Sequence, residues 1–347
     1  MADTSPIRED ERFDESGVAR YLHTTLPDLF PCEDIEFDQF PGGAANLTYR
    51  ARCAGGEEWV LRRAPLGEVA RGGHDMAREY KVLSRLWQEF PLAPRAHHYC
   101  ENDDVMGKPF FVMERRCGSV VRDKWPSGFV EHPDRKRTSA ESLVDAMCAL
   151  HAVDPAAVGL GDLGRPEGFV QRQIEGWARR WDAAATRPVP DMDTASAFLR
   201  DDVPEARRAV ILHNDFKLDN TMVDDLGDLV AVFDWDMATL GDPLVDIGTL
   251  LAYWAQPDDP TYLVFGSNAV AIGDVMPKSE VRERYAEQTG FDVGRIAYFE
   301  GLALFRIAVI IEQIYARYVS GQTADERFAT FEPLAPLLAG SACELLS

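Results

Sequence analysis

Basic residues are scarce in this chain: 36 Lys and Arg stand against 58 Asp and Glu, a formal net charge of −22. A protein that grips nucleic-acid phosphates needs a net basic face, so nucleic acid is excluded as a partner. Any polyphosphate bound here must be held by a local group of cations or by a metal, against the overall field. No run of 18 apolar residues occurs, so no segment is predicted to span a membrane. The first residues, MADTSPIREDERFDES, lack the basic start and apolar stretch of a secretory signal. The six cysteines include no C-x-x-C pair, which argues against a zinc site and for reduced thiols. Internal repeats and low-complexity tracts are missing too. What is present is a 46% apolar composition over 347 residues, enough to order the chain into about two lobes and to exclude disorder as its main state. The expectation is a soluble, cytoplasmic globular protein.

Residues 1–16 read as a flexible tail. From Ile35 short strand-like runs alternate with turn residues: Phe37–Phe40, Leu47–Tyr49 after Gly42-Gly43, then Trp59–Leu61 after Gly55-Gly56. A helical stretch is predicted over His74–Gln88 and a compact buried strand over Phe110–Met113. Beyond about Arg116 the periodicity is mostly helical, near 138–151, 169–183, 244–254, 278–288 and 295–319. A strand-rich island at 210–234 interrupts it. The predicted organisation is α+β: a small β-rich lobe with one helix at 17–115, then a larger, mainly helical lobe at 116–347.

The island carries the strongest chemical signal. Val210-Ile211-Leu212 delivers His213, Asp215, Lys217 and Asn220, and the apolar run Leu229–Phe233 delivers Asp234 and Asp236. An acid at the end of a buried strand is costly unless a cation or donor meets it. Phosphoryl transfer uses such a set: one carboxylate takes the hydroxyl proton, while an amide and another carboxylate hold Mg²⁺. H-x-D-x-x-x-x-N is the kinase catalytic-loop spacing, which makes Asp215 the base and Asn220 a metal ligand. Asp234 then stands for the Asp of D-F-G, with Trp235-Asp236 in place of Phe-Gly and Asp236 available to a second metal. Lys217 matches the lysine that steadies the γ-phosphate. His213 braces the loop by hydrogen bonds, and Asp246, opening the next helix, ties it down.

Upstream residues complete a nucleotide site. Gly42 and Gly43 let the backbone approach phosphate oxygens, with Asn46 beside them. Strand alternation puts Val60 and Arg62 on one face, Val60 against adenine and Arg62 toward the phosphates. Met76, Glu79, Leu83 and Leu86 share one helical face, and a carboxylate on an apolar stripe calls for a partner, here Arg62. Met113, Glu114 and Arg116 would form the segment beside the adenine, and Met222 its floor.

With these motifs in order over nearly the whole length (FPGGAANLTY, WVLRRAP, HDMAREYKVL, FVMERRCG, ILHNDFKLDN, VFDWDMATLGDPLVDIG and LFRIAVIIEQIYARYVSGQT), the chain resembles the aminoglycoside phosphotransferase or choline-kinase-like group of small-molecule kinases. Among them it looks most like the branch also found fused to acyl-CoA dehydrogenases, whose members look like hydroxyacyl-CoA kinases. The resemblance implies a two-lobed protein-kinase-like fold, ATP or GTP as co-substrate with Mg²⁺, and a small-molecule alcohol as acceptor. It also implies Asp215 as base, Asn220 and Asp234 as metal ligands, and Arg62 with Glu79 as the phosphate-anchoring pair. Two positions depart from the pattern. Ala45 stands where a Ser is common, and Arg62 where Lys is. No long activation segment and no A-P-E follows Asp236, which favours a small-molecule over a protein substrate. The alternatives are an aminoglycoside or amino-alcohol kinase, a nucleotide-binding pseudokinase and a phosphohydrolase built on Asp234 and Asp236. Trp254, Arg306, Glu312, Tyr315 and Arg317 are candidate substrate contacts on or near the late helices.

Overall fold

The computed structural model describes residues 4–41, 46–66, 75–122, 124–205, 208–265, 272–323 and 325–347. Gly42 and Gly43 therefore lie outside the described residues. The chain divides into two compact units: Met1–Cys117 with Ala231–Ala238, and Gly118–Val230 with Thr239–Ser347.

The first unit is built on an antiparallel five-stranded sheet of β1 (Ile35–Gln39), β2 (Leu47–Cys53), β3 (Glu58–Arg63), β4 (Ala96–Cys100) and β5 (Phe110–Glu114). The strands lie in the order β1-β2-β3-β5-β4. In β2 every second residue from Leu47 to Cys53 is buried, the alternation expected of a strand with one face on a core. Helix α1 (Glu15–Thr25) is capped by the Asp14 side chain, which accepts from Gly17 N, and it lays Val18 and Leu22 on that core. Helix α2 (Met76–Leu83) is likewise capped by Asp75. It is shorter than its apolar stripe, because the chain turns at Ser84-Arg85 before a separate 3₁₀ turn at Leu86–Gln88; all four stripe residues, Met76, Glu79, Leu83 and Leu86, are buried nonetheless. A one-turn helix, α3 (Asp103–Met106), completes the unit.

The N-terminal segment differs from a loose tail. Ser5 bridges Gln39, Ile7 is buried in the sheet's core, and Phe13 packs edge-on against Phe37 and Tyr49. Arg63 explains why. Its guanidinium is fully buried and donates to the Met106 carbonyl at 2.6 Å, the Glu11 carbonyl at 2.8 Å and the Tyr49 hydroxyl at 2.5 Å. A buried cation must spend its N–H groups on oxygens, and the N-terminal segment supplies one of them.

The second unit is mainly helical: α4 (Ser127–Val130), α5 (Pro133–Ala152), α6 (Phe169–Ala184), α7 (Pro190–Asp201), α8 (Leu244–Tyr253), α9 (Tyr262–Phe265), α10 (Lys278–Thr289), α11 (Ile296–Val319) and α12 (Leu334–Leu346). Helix α7 begins on Pro190, whose fixed φ suits a first helical position. The island's two apolar strands do not pair with each other. Instead β6 (Val210–Leu212) pairs antiparallel with β9 (Thr239–Gly241), and β7 (Thr221–Val223) pairs with β8 (Leu229–Val232). The reason lies at Asp224, whose Oδ1 accepts from Leu226, Gly227 and Asp228 N and so closes a tight β7–β8 hairpin. Among the described residues no helix is long and apolar enough to cross a membrane.

Helices α8 and α11 touch at Gly248, where a Cβ would sit 2.6–2.7 Å from the backbone of Phe299. Gly248→Ala should therefore destabilise the protein by ~1–3 kcal/mol, the usual range for overpacking. Gly55→Ala, in open space, should change urea-induced unfolding far less.

Candidate active site

In the first unit one arginine serves two carboxylates. Arg62, on β3, donates from Nε to Glu79 on α2 at 2.8 Å and from Nη2 to Asp234 at 2.5 Å. Glu79 is wholly buried, Arg62 nearly so, and Asp234 is one-third exposed. Burial opposes charge on Arg62, but Glu79 and Asp234 outweigh it and raise its pKa further. Burial pushes Glu79 up to about 7 despite Arg62, with Asp234 and Asp236 adding repulsion. Asp234 follows β8 at φ 67°, ψ 58°, a left-handed conformation that Asp tolerates better than most side chains. Trp235, next in the chain, is buried edge-on against Phe90 and donates to the Val232 carbonyl at 2.8 Å. Asp236 is half-buried and Asn46 buried. Val60 is buried opposite Met113 across β3 and β5. Glu114 accepts from Arg95 N at 3.1 Å and meets Arg116 at 3.1 Å, so both side chains are engaged within this segment.

In the second unit Asp215, Lys217 and Asn220 are drawn together. Asn220 donates from Nδ2 to the Asp215 carbonyl at 2.8 Å and to Asp215 Oδ2 at 2.9 Å. Lys217 Nζ lies 3.0 Å from the same carboxylate, 3.7 Å from Asp219 and 4.9 Å from the centre of the Tyr253 ring. Burial works against the Asp215 charge, but Lys217 and Arg306 prevail and hold its carboxyl below the usual range. Met222 sits half-buried in β7.

The loop itself hangs on Asp246 in the first turn of α8. Asp246 is fully buried and accepts from His213 N and Asn214 N, each at 2.7 Å. His151 of α5 reaches Asp246 at 3.4 Å and, through Nδ1, the Tyr285 hydroxyl at 2.7 Å. Asn214 takes φ 67°; it and Asp234 are the non-glycine residues with positive φ among the described residues. His213 is wholly buried and its Nδ1 accepts from Asp215 N at 3.3 Å, an arrangement suited to bracing.

The late-helix candidates separate. Trp254 is buried and donates to the Met276 carbonyl at 2.6 Å, and Glu312 is buried on Thr186 and Arg187; both are framework. Tyr315 lies under Arg187, and Arg317 is exposed. Arg306 alone reaches the loop, donating to the Asn214 carbonyl at 2.5 Å and lying 4.0 Å from Asp215. Trp177 and Arg180 of α6, stacked at 4.3 Å, lie beside it and carried no motif that would have marked them in the sequence.

Because folding raises the Glu79 pKa from 4.5 to about 7, the folded state holds that proton more tightly. The stability it contributes is complete below about pH 4.5 and is lost as pH rises through about 7. The stability of the native protein relative to Glu79→Gln should thus fall between pH 5 and pH 8 in urea unfolding. A constant or rising difference would count against the assignment.

The model of the phosphotransferase enzyme family matches residues 36–287. Acyl-CoA dehydrogenase family member 11 of Gallus gallus is 29% identical over 99% of this chain but 44% of its own length, and member 10 of Mus musculus is 27% identical over 93% and 30%. The chain thus spans less than half the length of these relatives. Among solved structures, a candidate aminoglycoside phosphotransferase of Ralstonia eutropha is 26% identical with a TM-score of 0.82, covering 96% of this chain and 98% of its own. An aminoglycoside phosphotransferase solved with AMP-PNP and hygromycin B shares the fold at 17% identity and TM-score 0.59, over 94% and 98% of the two chains. With a family match across most of its length, the chain belongs to the phosphotransferase enzyme family and is a small-molecule kinase of the aminoglycoside phosphotransferase type.

Proposed function

We propose that this kinase moves the γ-phosphoryl group of ATP or GTP, with Mg²⁺, to a hydroxyl of a small acyl compound of the hydroxyacyl type. The observation that carries the reading is the Asp215 carboxylate, half-buried yet held ionised by Lys217 and Arg306 and fixed in orientation by Asn220. A charged carboxylate so positioned is a ready acceptor for a proton. As the acceptor oxygen attacks the γ-phosphorus, Asp215 takes its proton. Lys217 sits on that carboxylate, from where its ammonium offsets negative charge on the phosphoryl oxygens. His213 holds the loop in shape. In the first unit Arg62, oriented by Glu79, serves the α- and β-phosphates; Val60, Met113 and the backbone from Glu114 to Arg116 line the base, and Asn46 covers the phosphates. Met222 floors the adenine.

The donor chemistry fits Mg²⁺. Asp234 and Asp236 offer carboxylate oxygens, and Asn220, which donates both its bonds through Nδ2, retains its carbonyl oxygen. These are hard ligands. Among the described residues no group of three or more His, Cys, Asp and Glu could hold a metal by itself; an ion held by one or two protein oxygens and the substrate's phosphates needs no such cage. When bound, Mg²⁺ offsets charge on the β- and γ-phosphates. The hydroxyacyl assignment draws support from the acyl-CoA dehydrogenase relatives, whose sequences carry the segment this chain matches.

Asp215→Ala should lower turnover by ~10²–10⁴, the share of a positioned general base, and leave nucleotide affinity nearly intact. Turnover equal to the native enzyme would remove Asp215 from the chemistry.

A further inference from the structure

Arg306 is a buried guanidinium whose bonding is incomplete. Its Nη2 donates to the Asn214 carbonyl at 2.5 Å, Asp215 lies at a loose 4.0 Å, and its Nε is buried with no hydrogen-bond partner. Other arginines, Arg50, Arg63, Arg115, Arg116 and Arg282, bury Nε in the same way; what sets Arg306 apart is its place beside Asp215. The Trp177 ring lies 5.7 Å from the Arg306 guanidinium carbon, and Arg180 stacks on the same ring at 4.3 Å. Arg180 forms no ion pair or hydrogen bond among the described residues. The charges that act on it are those of Arg306 and Arg179, both cationic, and they add to burial in lowering its pKa. In a chain with 22 more acids than bases, two neighbouring arginines with no carboxylate between them are unusual. Helices α6 and α11 thus bring two guanidinium forks to one Trp177 ring, and one of them, that of Arg306, lies 4.0 Å from Asp215. Guanidinium forks match the planar oxyanions of carboxylate and phosphate.

We infer that Arg306, Arg180 and Trp177 form an oxyanion subsite for the phosphoryl acceptor, so that the acceptor is an anion, a hydroxylated carboxylate or a phosphate-bearing carrier ester, and not a polyamine such as an aminoglycoside. The inference rests on the kinase reading for the role of Asp215 and adds to it the chemical class of the acceptor. Arg306 orients the group next to the reacting hydroxyl, and the exposed Arg180 captures charge from solvent.

The test uses the full chain, native and Arg180→Gln, with four acceptors: hydroxybutyrate, hydroxybutyryl-CoA, the methyl ester of hydroxybutyrate and aminobutanol. ADP release and calorimetric binding without nucleotide are both followed. Arg180 is exposed and touches the fold through its stack on Trp177, so its replacement should shift thermal unfolding only slightly, and Arg306→Lys serves as the second variant. The expected result is that an anionic acceptor is preferred and that Arg180→Gln weakens its binding and raises its KM ~10–100-fold, the worth of a charge-assisted hydrogen bond, without a comparable change for the methyl ester. Preference for hydroxybutyrate identifies a carboxylate, and preference for hydroxybutyryl-CoA the carrier's phosphates; either supports the subsite. Equal use of ester or amine, or anion binding indifferent to Arg180→Gln, overturns it. Should anions bind in an Arg180-dependent way while no acceptor releases ADP, the subsite stands and the hydroxyacyl acceptor of the proposed function falls.

Discussion

The loop that carries Asp215, the proposed base, depends on a buried carboxylate that satisfies backbone donors. Asp246 gives one oxygen to His213 N and the other to Asn214 N. A carboxylate in this setting must be bonded on every side, and backbone N–H groups do that without bringing a second charge. The bonds also offset the left-handed strain at Asn214, of order 1 kcal/mol or more. Arg306 donates to the Asn214 carbonyl, at the other end of the same residue. With the peptide units on both sides of Asn214 tied, the fold itself holds the next residue, Asp215, in place, which is the preorganisation its proposed role requires.

In the first unit Glu79, Asp234 and Asp236 all act on Arg62. The result is a pair that is strong at the Arg62–Glu79 contact and a carboxylate, Asp234, that remains partly exposed. In a chain this acidic, the cations at Arg62, Lys217 and Arg306 have local effects that net charge does not reveal. Arginine at position 62 reaches both carboxylates at once through its fork, which a lysine's single ammonium matches less well.

Much of this was readable before any coordinates. The catalytic-loop spacing, the stripe on α2 that made Glu79 want a cation, and the long helices all follow from local rules of periodicity and burial. The rest depended on partners far apart in sequence. Nothing near positions 1–16 announces that Arg63, about fifty residues on, needs the Glu11 carbonyl. The pairing of β6 with β9 was hidden because the intervening apolar strand looked like an equal candidate, and only the Asp224 turn decides it. Trp177 and Arg180 lie on an ordinary amphipathic helix, and their significance comes from Arg306, more than a hundred residues later. Glu312 and Trp254 misled for the same reason: a charged or indole side chain on an apolar helix advertises a ligand and a framework bond alike.

The decisive property of this enzyme is where the γ-phosphoryl group goes. Phosphorus NMR of the enzyme with ATP, Mg²⁺ and a mixture of hydroxylated acyl compounds measures this directly. A phosphomonoester resonance growing in step with ADP is the predicted result; ATP consumed only to inorganic phosphate, at the same rate with and without acceptors, would contradict it.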